Sequence, residues 1–222
     1  MWRDAVLVCS KDLRIEARSR VGLNQVVPFA AAVLLLFGLA LGPDRHALEP
    51  AASGLFWIAV LLTVVLAVQR SFAVESADSA RDGLRLSGLD PAGIFLGKGA
   101  AIVVQLLVLE GLLTIGVALL YGAQLSGGLV LLAACLTASI GLAAVGVVYG
   151  AVSSGVRVKE TLLPLLFLPV AAPVLLGATK AWNAALAGTP AHAGIWLSLL
   201  AIFAVLYVAV GIAAFGPLLE DS

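Results

Sequence analysis

The chain has 222 residues, 62% of them hydrophobic and only 12% charged, with a mean hydropathy of +1.11. A soluble domain carries an apolar share nearer one half, so this composition excludes one and defines an all-α, polytopic membrane protein. The basic and acidic residues, 13 of each, cancel, which excludes a nucleic-acid-binding surface, because that requires a basic excess.

Residues 1–20 read as an amphipathic helix on the cytoplasmic face of the membrane. At a helical repeat Trp2, Val6, Cys9, Leu13 and Ala17 share one side and Lys11, Arg14 and Arg18 lie opposite. Trp2 suits headgroup depth, and the cations Lys11, Arg14 and Arg18 suit anionic lipid or a partner, which makes these four the candidate interfacial anchor. The alternative is a positively charged flank that only sets topology. These residues are charged throughout, so no cleavable signal is expected.

Six membrane spans follow, at residues 21–42, 51–68, 99–121, 128–152, 161–179 and 195–215, each near the length that crosses about 30 Å of hydrocarbon. The boundary between spans three and four rests on turn chemistry in Gly122–Gly127, since no charge lies between Gly111 and Val156. Span four is dense in Ala and Gly, which predicts close helix packing. Span five carries Pro164, Pro169 and Pro173, which should kink or break it, and the freed carbonyls should then face the bundle, a wet cavity or a dimer seam.

Between spans two and three lies a charged loop, residues 69–98, with Arg70, Glu75, Asp78, Arg81, Asp82, Arg85, Asp90 and Lys98. If Ser76–Leu86 is helical, Ala77, Ala80 and Leu84 form one stripe and Asp78, Arg81, Asp82 and Arg85 the other. Such a helix, slung between spans, suits docking to a soluble partner; the alternative is a solvated connector on lipid headgroups. With the N-terminus inside, eleven Lys and Arg fall in inner segments and only Arg45 and Lys180 outside, so both termini and this loop are read as cytoplasmic.

Glu110 is the one acid near the middle of a span, which makes it a functional candidate by position. It would carry protons, hold a partner's donor or gate a path; alternatively, as a protonated or hydrogen-bonded acid, it fixes helix packing. His46 and His192 fall in outward loops, where an imidazole can ligate heme iron or can simply be solvated. Cys9 and Cys135 lie in different elements without CxxC spacing, so neither a disulfide frame nor a thiolate metal site is indicated. No Walker A, HExxH or nucleophile-elbow motif occurs. ATP-driven work would therefore fall to another polypeptide.

Three segments in order, KDLRIEARSR before the first span, GIFLGKGA closing the charged loop and RVKETLLPLLFLPVAAPVLL in span five, resemble the heme exporter protein B family of cytochrome c maturation, CcmB. The resemblance spans essentially the whole chain, and the ABC-2 type six-span permease is the broader class. It implies the membrane permease subunit of an ABC-type complex in a prokaryotic inner membrane, present as a homodimer with a separate cytochrome c maturation ATPase subunit. A heme-handling membrane subunit and a heme chaperone would be further partners. Heme would be a substrate of the complex, no cofactor is expected on this chain, and the chain is expected not to be an enzyme. The stretch from Glu75 to Asp90 within this loop would be the coupling helix, with Asp78, Arg81 and Arg85 as polar contacts to the ATPase and Leu84 and Leu86 as apolar anchors. ATP hydrolysis would drive heme export or release of the heme-loaded chaperone. The alternatives are an ABC-2 permease for another lipid or drug, and a non-transporting heme-binding scaffold.

Overall fold

The computed structural model describes residues 1–19, 27–42, 45–77, 88–122, 127–154 and 159–220. Among these it contains seven α-helices in chain order: α1 Trp2–Ser19, α2 Val27–Leu41, α3 Arg45–Ala77, α4 Pro91–Tyr121, α5 Gly128–Ser154, α6 Lys159–Leu186 and α7 Gly194–Glu220. A 3-10 turn at Pro190–Ala193 leads into α7. Five helices, α3 to α7, are long and apolar enough to cross a membrane, and Val27–Ala40 forms a shorter apolar helix. The protein is an all-helical, multi-pass membrane protein.

The centre of the bundle is α5. Two thirds of its most apolar stretch is buried, 67%, against 17% for α7, and it packs on α3, α4, α6 and α7. Its small residues make this possible: Ala134, Ala138, Ala143 and Ala144 are buried, and Gly146 and Gly150 receive Val68 and Phe72 of α3. A larger side chain at those positions would hold the backbones apart. The opposite holds on α7, where Ile195, Ile202 and Val205 are exposed.

Helices α3 and α4 exceed the bilayer. At 1.5 Å per residue the 33 residues of α3 reach about 50 Å. The 31 of α4 reach about 46 Å, against roughly 30 Å of hydrocarbon. The stretch expected to leave the membrane as a loop from Gln69 is therefore helical as far as Ala77, and α4 is helical from Pro91 rather than from residue 99. The polar side chains in these extensions find partners on neighbouring helices, described below, so the helices have no need to end at the apolar boundary. At the start of α4 the Asp90 side chain accepts the Ala92 N–H at 3.0 Å, and Pro91 occupies the first turn, where its missing donor costs nothing. At its end Gly122 takes the left-handed conformation, φ 65°, that closes a helix.

The three prolines do not break α6, which runs unbroken from Lys159 to Leu186 with all three inside. The reason lies in their placement. Leu163, Phe167, Ala171, Val174 and Ala178 form a buried stripe at helical spacing, while Pro169 and Pro173 lie on the exposed side. Packing along the stripe holds the helix together where the prolines remove backbone donors.

Candidate functional site: the helical base and the buried carboxylate

At one end of the bundle, α1 lies alongside the first half of α4 and runs in the same direction. The approach is set by Gly93 and Gly97, four residues apart on α4. A Cβ at Gly93 would fall 2.8 Å from the Met1 carbonyl oxygen, and one at Gly97 2.6 Å from that of Ala5 and 2.7 Å from the Val8 Cβ. Ala5 and Val8 are buried in this seam. Only bare backbone on α4 admits α1 so closely.

Polar contacts continue the seam in both directions. Near its start, the Asp90 backbone N–H donates to Asp4 Oδ2 at 3.3 Å. That bond, with the Met1 amine, holds the Asp4 carboxyl below the usual carboxylate range. Further along, Asp12 Oδ2 lies 3.6 Å from Lys98 Nζ on α4. The Arg70 guanidinium on α3 donates to Glu16 Oε1 at 3.0 Å and to Ser19 Oγ at 3.2 Å. Lys98, which sequence position alone put at a span boundary, is 1% exposed. Its ammonium donates to Ser71 Oγ on α3 at 3.2 Å and stands 4.9 Å from the Phe72 ring centroid. A cation removed from water in this way needs just such charge and dipole compensation.

Of the expected anchor residues, Trp2 is 73% exposed and Arg14 and Arg18 are exposed. Lys11 pairs with Asp12 at 3.0 Å and is half-buried at the edge of the seam. Val6 and Ala17 are exposed, and Cys9 and Leu13 are half-buried; burial, followed by the nearby Asp12 carboxylate, pushes the Cys9 thiol up. The apolar side read from periodicity is thus distinct from the side that meets protein, which carries Ala5, Val8, Asp12 and Glu16. Two acids four residues apart on a helix otherwise rich in cations were the available signal for that second side, together with Gly93 and Gly97 on α4. The expected coupling residues Asp78, Arg81, Leu84, Arg85 and Leu86 lie outside the described residues.

A second polar site sits inside the bundle. Glu110 on α4 is 2% exposed, and its Oε1 accepts the Ser139 hydroxyl of α5 at 2.7 Å. Among the described residues its other oxygen, Oε2, has no hydrogen-bond partner. The Cys135 thiol, one turn before Ser139, lies beside both Glu110 and Trp182 of α6. Trp182 stacks on Phe56 with ring centroids 3.9 Å apart and meets Trp57 edge-on at 6.1 Å. The hydroxyl of Ser53 on α3 donates to Asn183 Oδ1 on α6 near the same end. Glu110 is therefore tied into interhelical contacts, and Lys98 lies twelve positions back, about 18 Å along α4. His192 is exposed. Among the described residues no three His, Cys, Asp or Glu side chains gather as metal ligands would.

The fold and these sites define a multi-pass helical membrane protein whose polar contacts concentrate at one end, around the helices that flank a charged loop. The CcmB protein family matches residues 3–221, so the chain belongs to that family. It is 31% identical to heme exporter protein B of Pseudomonas aeruginosa over 215 residues, 94% of each chain. It is 29% identical to heme exporter protein B of Haemophilus influenzae over 182 residues, 80% of each. A third relative, heme exporter protein B of Paracoccus denitrificans, is 28% identical over 187 residues, covering 80% of this chain and 82% of that one.

Proposed function

We propose that this protein is the membrane permease subunit of an ABC-type complex in cytochrome c maturation. In this reading it couples ATP hydrolysis by a separate ATPase subunit to heme export or to release of the heme-loaded chaperone. The observation that carries the reading is the family match along nearly the whole chain, residues 3–221. Heme, exported or released on its chaperone, is the substrate of the complex, no cofactor is resident on this chain, and hydrolysis belongs to the partner. The helical base supports the same reading: α3 and α4 extend past the bilayer on either side of the charged loop, as levers do that receive force from a soluble subunit.

The segment between α3 and α4, residues 78–90, then supplies the ATPase contact. Arg81 and Arg85, with Asp78, give polar contacts; Leu84 and Leu86 give the apolar anchors that carry more of the affinity, because exposed charge pairs contribute little. The protein lies in a prokaryotic inner membrane with both termini and the loop in the cytoplasm, as the excess of inner cations favours. The anchor residues Trp2, Arg14 and Arg18 then meet headgroups. Residues 21–42 form the first of six spans, with α3 to α7 as the rest. A homodimer is supported by the exposed Pro169 and Pro173 on α6, since carbonyls left without donors at membrane depth need protein cover rather than lipid. The heme-handling membrane subunit and the heme chaperone complete the assembly.

The test is co-purification of the full chain with its ATPase, comparing wild type with an Arg81→Glu, Leu84→Asp double variant. Co-elution and hydrolysis by the wild-type pair, both lost in the variant, are expected. An ATPase that binds the variant as well as the wild type would make the loop a plain connector and overturn the coupling assignment.

A further inference from the structure

The ion pairs of the base reach two different helices from one face of α1. Asp12 and Glu16 are four residues apart, so their side chains stand one above the other. Asp12 reaches Lys98 on α4, 3.6 Å, and Glu16 reaches Arg70 on α3, 3.0 Å. Lys98 then crosses to Ser71, the neighbour of Arg70 in the chain. The four side chains and Ser71 close a ring through α1, α3 and α4 at the level where the last two leave the apolar region. A cavity of about 40 Å³ borders Asp12, Glu16, Arg70 and Ser71, with Ile15 and Ala67 as its apolar lining, and it has room and polar partners for water.

We propose that α1 is a strut that locks the two helices flanking the charged loop into one rigid unit, with Asp12, Glu16, Arg70 and Lys98 as its positioning residues. The burial of Lys98 is the reason to assign a geometric role rather than simple adhesion. A methionine of similar length would fill the same space without the desolvation cost of an ammonium, so the ion pair contributes mainly direction and register. The ring ties α3 to α4 directly through Lys98 and Ser71, and again through α1. A displacement of the loop therefore moves the end of α3, the start of α4 and all of α1 together. Gly93 and Gly97 make the contact close enough for that motion to be transmitted without slack.

The consequence for coupling rests on the permease reading, whereas the strut itself does not. The experiment therefore begins with a distance measurement on the full chain alone, in nanodiscs, with Cys9 and Cys135 replaced and spin labels on the exposed positions Ala17 of α1 and Ala100 of α4. The parent protein is expected to give one narrow distance distribution. Glu16→Arg sets two cations against each other and should lose the single peak, and adding Arg70→Glu, which reverses the pair, should restore it. A single peak retained in Glu16→Arg, or a double variant broader than the single one, would overturn the strut. The same variants are then assayed with the ATPase: hydrolysis that stays coupled in a protein whose α1 has come loose would overturn the role in transmission. If no ATPase binds the parent protein, the permease reading fails, and the distance result still decides the strut.

Discussion

Gly97→Ala tests the docking of α1 most sharply, because two opposing effects of known size meet at that position. In a helix interior alanine is favoured over glycine by about 1 kcal/mol, so an unobstructed site would gain stability. The added Cβ, however, would stand 2.6 Å from the Ala5 carbonyl oxygen and 2.7 Å from the Val8 Cβ. The first of these is backbone and cannot rotate aside. Relief requires α1 to move outward, opening the seam around Ala5 and Val8, and overpacking of this kind costs about 1–3 kcal/mol. The net expectation is a loss of up to about 2 kcal/mol. Gly99→Ala is the matched control, two residues away on the same helix with nothing within 4 Å of the new atom, and it should be neutral or stabilising. Thermal unfolding in detergent, with hydrogen exchange over residues 1–19, reads both effects. Gly97→Ala should lower the midpoint and speed exchange in α1 while Gly99→Ala does neither. Equal or better stability of Gly97→Ala would refute the close contact on which the base is built.

Inside the bundle, Ser139→Ala removes the hydroxyl that Glu110 accepts and should cost about 1–3 kcal/mol, the penalty for a buried polar atom left unpaired. Adding Glu110→Leu should recover most of that loss, and chemical denaturation of the two variants measures the difference. Tyr121→Phe deletes the bond its hydroxyl donates to the Leu34 carbonyl at 2.7 Å. A loss of about 1 kcal/mol is expected, with faster exchange in α2 and none of that acceleration in α7. Asp4 supplies a pH dependence. Its carboxyl is held below its ordinary value of 3.8, so the stabilisation it contributes is in place above that pH and is lost as pH falls through the lower, folded value. Acidification should loosen the first turn of α1, seen as greater mobility of a spin label at Val6, and Asp4→Ala should show that mobility already at neutral pH.

Much of the architecture was legible because hydrocarbon imposes a simple rule on sequence. Apolar stretches in Ala51–Ala73 and Leu163–Leu186 announce themselves as spans, and the Ala and Gly content of α5 announces its central place. Helix ends at the base were less legible. Gln69, Arg70 and Lys98 read as the limits of the membrane, but a helix continues past a charge when another helix supplies the partner. The same rule explains α6, where a proline pattern that usually interrupts a helix is tolerated because a buried stripe runs along its other side. Glu110 stood out by its position, whereas its partner did not, since a serine four residues after a cysteine in an apolar run carries no mark of its own.

The least legible feature was the second working side of α1. Periodicity identifies a contrast between apolar and cationic sides, and on α1 that contrast is strong enough to absorb the whole pattern. Asp12 and Glu16 then look like ordinary solvated acids, and Ala5 and Val8 look like weak members of the apolar side. Their role emerges only when Gly93 and Gly97 are brought opposite, because a seam needs small residues on one helix and matching side chains on the other. One-dimensional periodicity cannot pair positions more than 80 residues apart. A helix on this base therefore has three sides to account for, one apolar, one cationic and one toward α3 and α4. The side toward protein is the one that decides whether the base moves as a unit.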